Sequence, residues 1–357
     1  MRKHYLDNIR WITVVIVVIY HVFYMYNAQG IAGGLGKITS LREQYYDVFM
    51  YIVYPWMMPI LFVVSGISSW LYLEKHTEQE YFKSRTLKLL VPSTIGLFVF
   101  QFVQGYLSMS LSNAFVSFNG VPGFVLYLIM VLSGIGVLWY VQILWLFSVM
   151  LIWVRKIEKG RCWNIGKKVN LAVLFLLSVP VWMSAQFGNT PLIIVYRFGL
   201  YSTMFFLGYF VFSHDEVIEI LKKHFPLIAL IATMLCIAFS VSYFGMNIAD
   251  APINRSILFA AYCWFGTLAI LGGTAEFFDF ENRFTRWMNR NSFGLYVFHY
   301  LGISAAALFV AKPGILPPLA AYFLSLVAGF TVGFGLGFII SRIPFLRWAV
   351  LGMNKKG

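Results

Sequence analysis

WITVVIVVIYHVFYMYNA, residues 11–28, is the first of many long apolar stretches in the chain, and one histidine, His21, lies within it. An α-helix rises about 1.5 Å per residue, so roughly 20 such residues cross the hydrocarbon core of a bilayer, which is about 30 Å thick. Stretches of this kind recur along the whole sequence. We predict ten membrane-spanning helices, over residues 11–28, 47–73, 89–110, 137–154, 169–187, 193–212, 226–244, 256–275, 291–311 and 316–341.

The composition indicates that lipid is the main solvent of the chain. Hydrophobic residues make up 60% of the 357 and charged residues 11%, and the mean hydropathy is +0.76. A water-soluble core of this size could not bury so much apolar surface. We therefore predict an all-α polytopic transmembrane helix bundle that forms one integral-membrane domain over residues 1–357, with a short cytoplasmic tail at 342–357. For residues 113–136, a re-entrant or partial helix is an alternative to a loop.

The basic residues predict the orientation of these helices. Cytoplasmic loops of membrane proteins are enriched in lysine and arginine, and most of the 27 basic residues fall in cytoplasmic segments if the N-terminus is inside. The exceptions are Lys37, Arg42, Arg197, Arg255 and Lys312. The ten spans then place both termini in the cytoplasm. The net charge of +13 is read as this orientation signal, and no nucleic-acid partner is predicted.

Ionisable side chains inside a membrane are costly, so each is a candidate for function. His21 follows Arg10 by eleven residues, which at about 100° per residue puts both on one helix face, about 16 Å apart. Ser292, Tyr296 and His299 likewise share one face of a late span. Each set also has a structural alternative. His21 would be a buried histidine bonded to a neighbouring helix, and Ser292, Tyr296 and His299 would form interhelical hydrogen bonds that hold the protein together.

The remaining polar residues give weaker signals. Arg197 and Arg255 are expected near the outer surface, where they either meet a polar acceptor or snorkel to the interface. The other histidines are expected to be solvated; they are His4, His76, His214 and His224. The sequence has no pattern typical of a metal site, so no metal is predicted.

Five segments, taken in order, resemble the family-3 membrane acyltransferases. They are LDNIRW with Leu6, Asp7 and Arg10; MPILFVVSGI with Phe62, Ser65 and Gly66; FKSRTLKLLVP with Phe82, Arg85, Leu89 and Pro92; LWYVQILWLF with Leu138, Trp139 and Tyr140; and NSFGLYVFHY with Ser292, Tyr296 and His299. Two positions depart from the family pattern. Lys88 replaces the second arginine of an Arg-x-x-Arg motif, and Gln142 stands where many lipopolysaccharide-modifying members have glutamate.

The resemblance implies an acyl-CoA-dependent O-acyltransferase of the bacterial cytoplasmic membrane. It would move an acyl group, acetyl or succinyl, from cytoplasmic acyl-CoA to a hydroxyl of an extracytoplasmic glycan or glycolipid. His21 would be the general base, and His299, Tyr296 and Ser292 would complete the catalytic set. His299 would orient His21, stabilise the oxyanion or line the acceptor path. Arg10, Arg85 and Lys88 would bind the phosphates of coenzyme A. Ser65, beside Gly66, would lie at the acyl-CoA site, as a close-packing position or as a backbone hydrogen-bond donor.

Two other functions stay open. In a secondary transporter or flippase, the intramembrane histidines would relay protons. The sequence shows no two-fold repeat and no Asp or Glu well inside a predicted span, which favours the enzyme. A non-catalytic partner that presents acyl groups to another enzyme is the third possibility. Release of free CoA from acetyl-CoA in the presence of a glycan would separate an enzyme from a transporter.

Overall fold

The computed structural model describes residues 3–188 and 196–354. Within these ranges the chain is built of helices joined by turns and loops, and no β-strand occurs. In chain order the helices are α1 His4–Met25, α2 Tyr45–Leu73, α3 Glu78–Leu111, α4 Gly123–Ser133, α5 Gly136–Glu158, α6 Leu171–Ser184, α7 Phe198–Phe210, α8 Asp215–Lys223, α9 Phe225–Tyr243, α10 Ile257–Phe277, α11 Arg283–Ala311, α12 Pro318–Arg342 and α13 Pro344–Leu351. Shorter helical turns lie at Ala114–Phe118, Arg161–Gly166 and Ala251–Asn254. The predicted all-α class is confirmed.

Among the described residues, eight helices are long and apolar enough to cross a membrane, and they correspond to eight of the ten predicted spans. The two remaining predicted spans, 169–187 and 193–212, correspond to the shorter apolar helices α6 and α7. Residues 193–195, at the start of the second, lie outside the described residues. α7 has 13 residues, about 20 Å at the helical rise, which is less than the hydrocarbon thickness. The count of ten spans stays a prediction.

The segment 113–136 contains a partial helix. α4 has 11 residues, roughly 16 Å of helix, and it packs against the second half of α3. Two glycines allow this close contact. A Cβ on Gly105 would collide with the carbonyl of Met130, and one on Gly134 with the carbonyl of Gln101. The partial-helix alternative is the one that the structure shows.

The described residues group into two compact units. The first takes its residues from Met1–Thr13, Tyr51–Lys83 and Ile143–Asn289. Glycines bring α2 and α7 together in this unit, because a Cβ on Gly66 would collide with the backbone of Phe205 and one on Gly208 with that of Val63. The second unit takes its residues from Val14–Met50, Ser84–Gln142 and Arg290–Gly357. The single-domain organisation stays a prediction.

Two side chains of the first unit are buried, where the sequence suggested exposure. His214 is 3% exposed, its Nε2 donates to the carbonyl of Trp163 at 2.9 Å, and burial lowers its pKa. The prediction that it is solvated is wrong, because Trp163 folds over it. Arg197 is also 3% exposed and lies over the rings of Tyr54 and Phe259, so it does not snorkel.

The predicted C-terminal tail contains a packed helix. In the second unit, Ala349, Val350 and Leu351 of α13 are buried, and a Cβ on Gly96 of α3 would lie 2.9 Å from the carbonyl oxygen of Ala349. Gly352 ends α13 in the left-handed conformation, with φ of 60°, as glycine commonly does after a helix. Lys355 and Lys356 of the predicted tail lie outside the described residues.

Candidate active site

Two histidines from α1 and α11 meet inside the second unit. Nδ1 of His21 lies 3.1 Å from Nε2 of His299, and the two ring centroids are 5.0 Å apart. They are separated by 278 residues in sequence. The structure therefore brings together the two histidines that the sequence analysis selected from different spans.

Backbone carbonyls fix which nitrogen of each ring carries the proton. Nδ1 of His21 lies 2.8 Å from the carbonyl oxygen of Val17, and Nδ1 of His299 lies 2.8 Å from that of Tyr296. A carbonyl oxygen only accepts hydrogen bonds, so Nδ1 of each neutral ring is the donor. Nε2 of His299 then carries a lone pair and accepts from the Nδ1–H of His21, which it shares with Val17.

This arrangement leaves one basic nitrogen available. His299 is completely buried, whereas His21 is partly accessible. Nε2 of His21 has a lone pair and makes no hydrogen bond to any part of the chain that the structure describes. If this nitrogen takes a proton, the resulting imidazolium still donates through Nδ1 to His299. The pair can therefore act as a general base with a neutral histidine as its hydrogen-bonding partner.

Three tyrosine rings lie around His21. The ring of Tyr300 lies 5.0 Å from it, that of Tyr20 5.4 Å and that of Tyr24 5.7 Å, measured between centroids. The hydroxyl of Tyr300 donates to the carbonyl of Gly33 at 2.9 Å, and that of Tyr24 donates to the carbonyl of Ala32. The aromatic side chains next to the base therefore also hold the loop that follows α1.

A buried carboxylate anchors the same loop. Asp47 is 0% exposed and accepts hydrogen bonds from the backbone N–H of Ala28 at 2.9 Å and from the amides of Gln29 at 2.6 Å and Gln44 at 2.9 Å. Gly33 adopts a φ of +106°, which is strained for other residues. The residues between Ala28 and Gln44 thus fold back over the C-terminal end of α1; we call them the cap loop.

The other residues predicted for catalysis lie on α11. Tyr296 is buried and its hydroxyl donates to the carbonyl of Val137, so that hydroxyl is held by the backbone. Ser292 is buried about two helical turns before His299. Of the three residues predicted to share this face, His299 contacts His21 directly.

The cations predicted to bind the donor divide between the two units. Arg85 and Lys88 belong to the second unit, within electrostatic reach of each other at a wide helical turn, Thr86–Leu90 of α3. Gly352 packs closely against this turn, since a Cβ on Gly352 would lie 2.8 Å from Cα of Lys88. Wide turns of this kind are frequent at functional sites.

Arg10 and Ser65 belong to the first unit. Arg10 forms an ion pair with Asp7 at 2.6 Å and donates to the hydroxyl of Ser68. Ser65 is buried one turn earlier on α2, and its carbonyl accepts the hydroxyl of Ser69 at 2.8 Å. Arg10 is therefore held in place on its helix by partners from its own unit.

Sequence reasoning missed several residues next to the histidines. Tyr300 directly follows His299, and Gly33 lies in the loop after the first predicted span; both positions were visible in the sequence. Asp47 stood at the edge of a predicted span, and its burial depends on the fold of the loop. No group of three or more His, Cys, Asp or Glu side chains that could hold a metal ion occurs in residues 3–188 or 196–354.

The fold and the paired histidines define a multi-pass helical membrane protein with a basic nitrogen inside one of its units. Residues 3–342 match the model of a protein family described as "Acyltransferase domain", which covers nearly the whole chain. The protein therefore belongs to this family of membrane acyltransferases, and the resemblance that the five sequence segments suggested is confirmed. No curated protein and no solved structure matches the chain.

Proposed function

We propose that the protein is an acyl-CoA-dependent O-acyltransferase in which His21 is the general base. The observation that carries this proposal is the contact of 3.1 Å between Nδ1 of His21 and Nε2 of His299. It leaves Nε2 of His21 as the nitrogen with a free lone pair. A neutral imidazole in this state is suited to take a proton from a hydroxyl at physiological pH.

The reaction balances with these groups alone. Nε2 of His21 removes the proton of the acceptor hydroxyl as its oxygen attacks the carbonyl carbon of the thioester. The C–O bond forms, the C–S bond breaks, and the thiolate of coenzyme A leaves with the electron pair. The proton then passes from His21 to the thiolate, which yields the ester, free CoA thiol and neutral His21. His299 stabilises the transient imidazolium by accepting its Nδ1–H.

The donor is proposed to enter from the cytoplasm. Coenzyme A carries several negative phosphates, which suit the adjacent cations Arg85 and Lys88. Arg10 lies on the same continuous helix as His21, eleven residues earlier, a rise of about 16 Å. A nucleotide bound at the start of this helix would direct its slender thioester-bearing arm towards the base.

The acceptor is proposed to be a hydroxyl of an extracytoplasmic glycan or glycolipid. The acyl group is acetyl or succinyl, and the site is the cytoplasmic membrane of a bacterium. These assignments draw on the family's resemblance and on the predicted orientation, in which the C-terminal end of α1 and the cap loop face outwards. Acyl donor and acceptor then approach His21 from opposite sides.

The experiment is a CoA-release assay on the purified protein in detergent, with acetyl-CoA and a panel of glycans. We expect release that requires the acceptor, together with an acetyl mass on the glycan. His21→Ala should abolish transfer while acetyl-CoA binding persists, and His76→Ala, at an exposed histidine, should retain full activity. Full activity of His21→Ala would remove the proposed base. Proton-coupled transport without any CoA release would instead support the transporter.

A further inference from the structure

Two glutamines of α3 are buried in the second unit with incompletely bonded amides. Gln101 is 4% exposed and Gln104 3% exposed. Nε2 of Gln104 donates to the hydroxyls of Ser108 at 3.1 Å and Ser304 at 3.0 Å. Its Oε1 is buried without a hydrogen-bond partner among the described residues, and so is Nε2 of Gln101.

Such atoms are unusual in a folded protein. Most buried polar atoms have a hydrogen-bond partner, and a missing hydrogen bond costs free energy, especially in an apolar setting. An apolar side chain of similar size would avoid the cost at both positions. One unpaired acceptor and one unpaired donor thus lie one helical turn apart on α3. Their presence indicates that these atoms bind a ligand.

Both glutamines lie on a part of α3 that contacts α11 in the second unit. The rings of Phe100 and Phe298, the residues that directly precede Gln101 and His299, are 5.2 Å apart. The side chain of Gln104 contacts Ser304, which follows His299 by five residues on α11. A Cβ on Gly136 would lie 3.8 Å from Cγ of Gln104 and 4.0 Å from Cδ1 of Tyr300.

Tyr300 links this position to the base. Because the same point beside Gly136 is near both Gln104 and Tyr300, the two side chains border one small region. The ring of Tyr300 in turn lies 5.0 Å from that of His21. In the predicted orientation α11 runs outwards from its first residue, so Ser304 and the Gln104 amide that contacts it lie beyond His299, on the acceptor side.

The two unpaired atoms suit a hydroxyl group. A hydroxyl donates one hydrogen bond and accepts others, so it can donate to Oε1 of Gln104 and accept from Nε2 of Gln101. We propose that Gln101 and Gln104 bind hydroxyls of a polyhydroxylated sugar and position the attacking one at His21. This assignment rests on the proposed acyltransferase function and specifies its acceptor. The amide-bearing arm of the acyl donor has the same hydrogen-bonding chemistry, and kinetics distinguish the two.

The decisive variant is Gln101→Met, which removes the amide and keeps an unbranched side chain. With acetyl-CoA and a glycan that the wild type modifies, we expect the KM for the glycan to rise roughly tenfold, the loss of about one hydrogen bond. The KM for acetyl-CoA should be unchanged. The Tm should be unchanged or higher, because a buried unpaired atom has been removed. Gln104→Met should also raise the glycan KM, with a lower Tm because two serine contacts are lost.

A matched control is Gln186→Met in the first unit. The amide of Gln186 donates to the carbonyls of Trp182 and Arg255, each at 3.0 Å, so its loss should lower the Tm and leave both KM values unchanged. A raised acetyl-CoA KM in Gln101→Met, with the glycan KM unchanged, would overturn the assignment in favour of the donor arm. A lowered Tm with unchanged kinetics would overturn it in favour of a structural role. Absence of turnover in the wild type would instead overturn the acyltransferase proposal itself.

Discussion

His299 donates its Nδ1–H to the carbonyl oxygen of Tyr296 at 2.8 Å, one turn earlier on the same helix. This bond turns the lone pair of its Nε2 towards His21. The orientation of the proposed base is therefore set by the backbone of α11, and His299 serves as a positioning residue.

Replacing His299 should slow chemistry without weakening donor binding. In His299→Ala, the imidazolium of His21 loses its acceptor, and we expect kcat to fall about 100-fold, with the KM for acetyl-CoA little changed. His299→Gln, whose amide oxygen accepts a hydrogen bond, should recover part of the rate. Steady-state kinetics of the three proteins test this. Equal loss in both variants would argue that His299 only fills space.

Lys88 should contribute to donor binding through its charge. Lys88→Ala is expected to raise the KM for acetyl-CoA about tenfold at low salt, and the difference should shrink as salt screens the phosphates. Lys88→Arg should bind at least as well, since a guanidinium pairs with phosphate through two bonds. Lys83→Ala, at an exposed lysine of the same helix, is the control. A salt-independent effect would contradict an electrostatic role.

Asp47 should hold the cap loop closed. Asp47→Asn keeps the size of the side chain but replaces one acceptor oxygen by a donor. This donor then faces either the donors of Ala28 and Gln29 or that of Gln44. We expect trypsin to cleave after Lys37 and Arg42, both exposed in the loop, at least several-fold faster than in the wild type. Glu43→Gln makes the same chemical change at an exposed position of this loop. Similar cleavage rates in both variants would mean that Asp47 is not an anchor.

The orientation can be tested with the native cysteines. Cys162 is exposed, Cys263 is buried, and Cys236 is partly exposed on the apolar helix α9. A membrane-impermeant maleimide should therefore react mainly with Cys162. We expect labelling in inverted membrane vesicles and little in intact cells. Lys37→Cys in a Cys162→Ser background should show the opposite pattern. Labelling of Cys162 from outside would reverse the predicted topology and the direction of acyl transfer.

Helical periodicity explains what the sequence could predict of the site. The spacing of Arg10 and His21 and the shared face of Tyr296 and His299 follow from local geometry, which any continuous helix obeys. The class of fold follows equally from hydropathy. The roles suggested for these residues came from motif order, and the family match supports the acyltransferase class.

Features that depend on packing between distant segments were not visible. No local signal shows that α1 and α11 are neighbours, or that Trp163 covers His214. The amides of Gln101 and Gln104 are visible within a predicted span, but only tertiary structure shows which of their atoms lack partners. The shorter helices α6 and α7 differ from their predicted spans because apolar composition alone does not fix where a helix ends.

The contact of Gly352 with the turn that carries Lys88 has a consequence for biogenesis. This turn is synthesised early, yet it meets its packing partner only after more than two hundred further residues have been translated and inserted. The same delay applies to His21, which must wait for His299. Insertion intermediates that hold only the first half of the protein therefore lack the partners that orient the proposed base and complete the proposed donor site, so we expect a partly made molecule not to consume thioester.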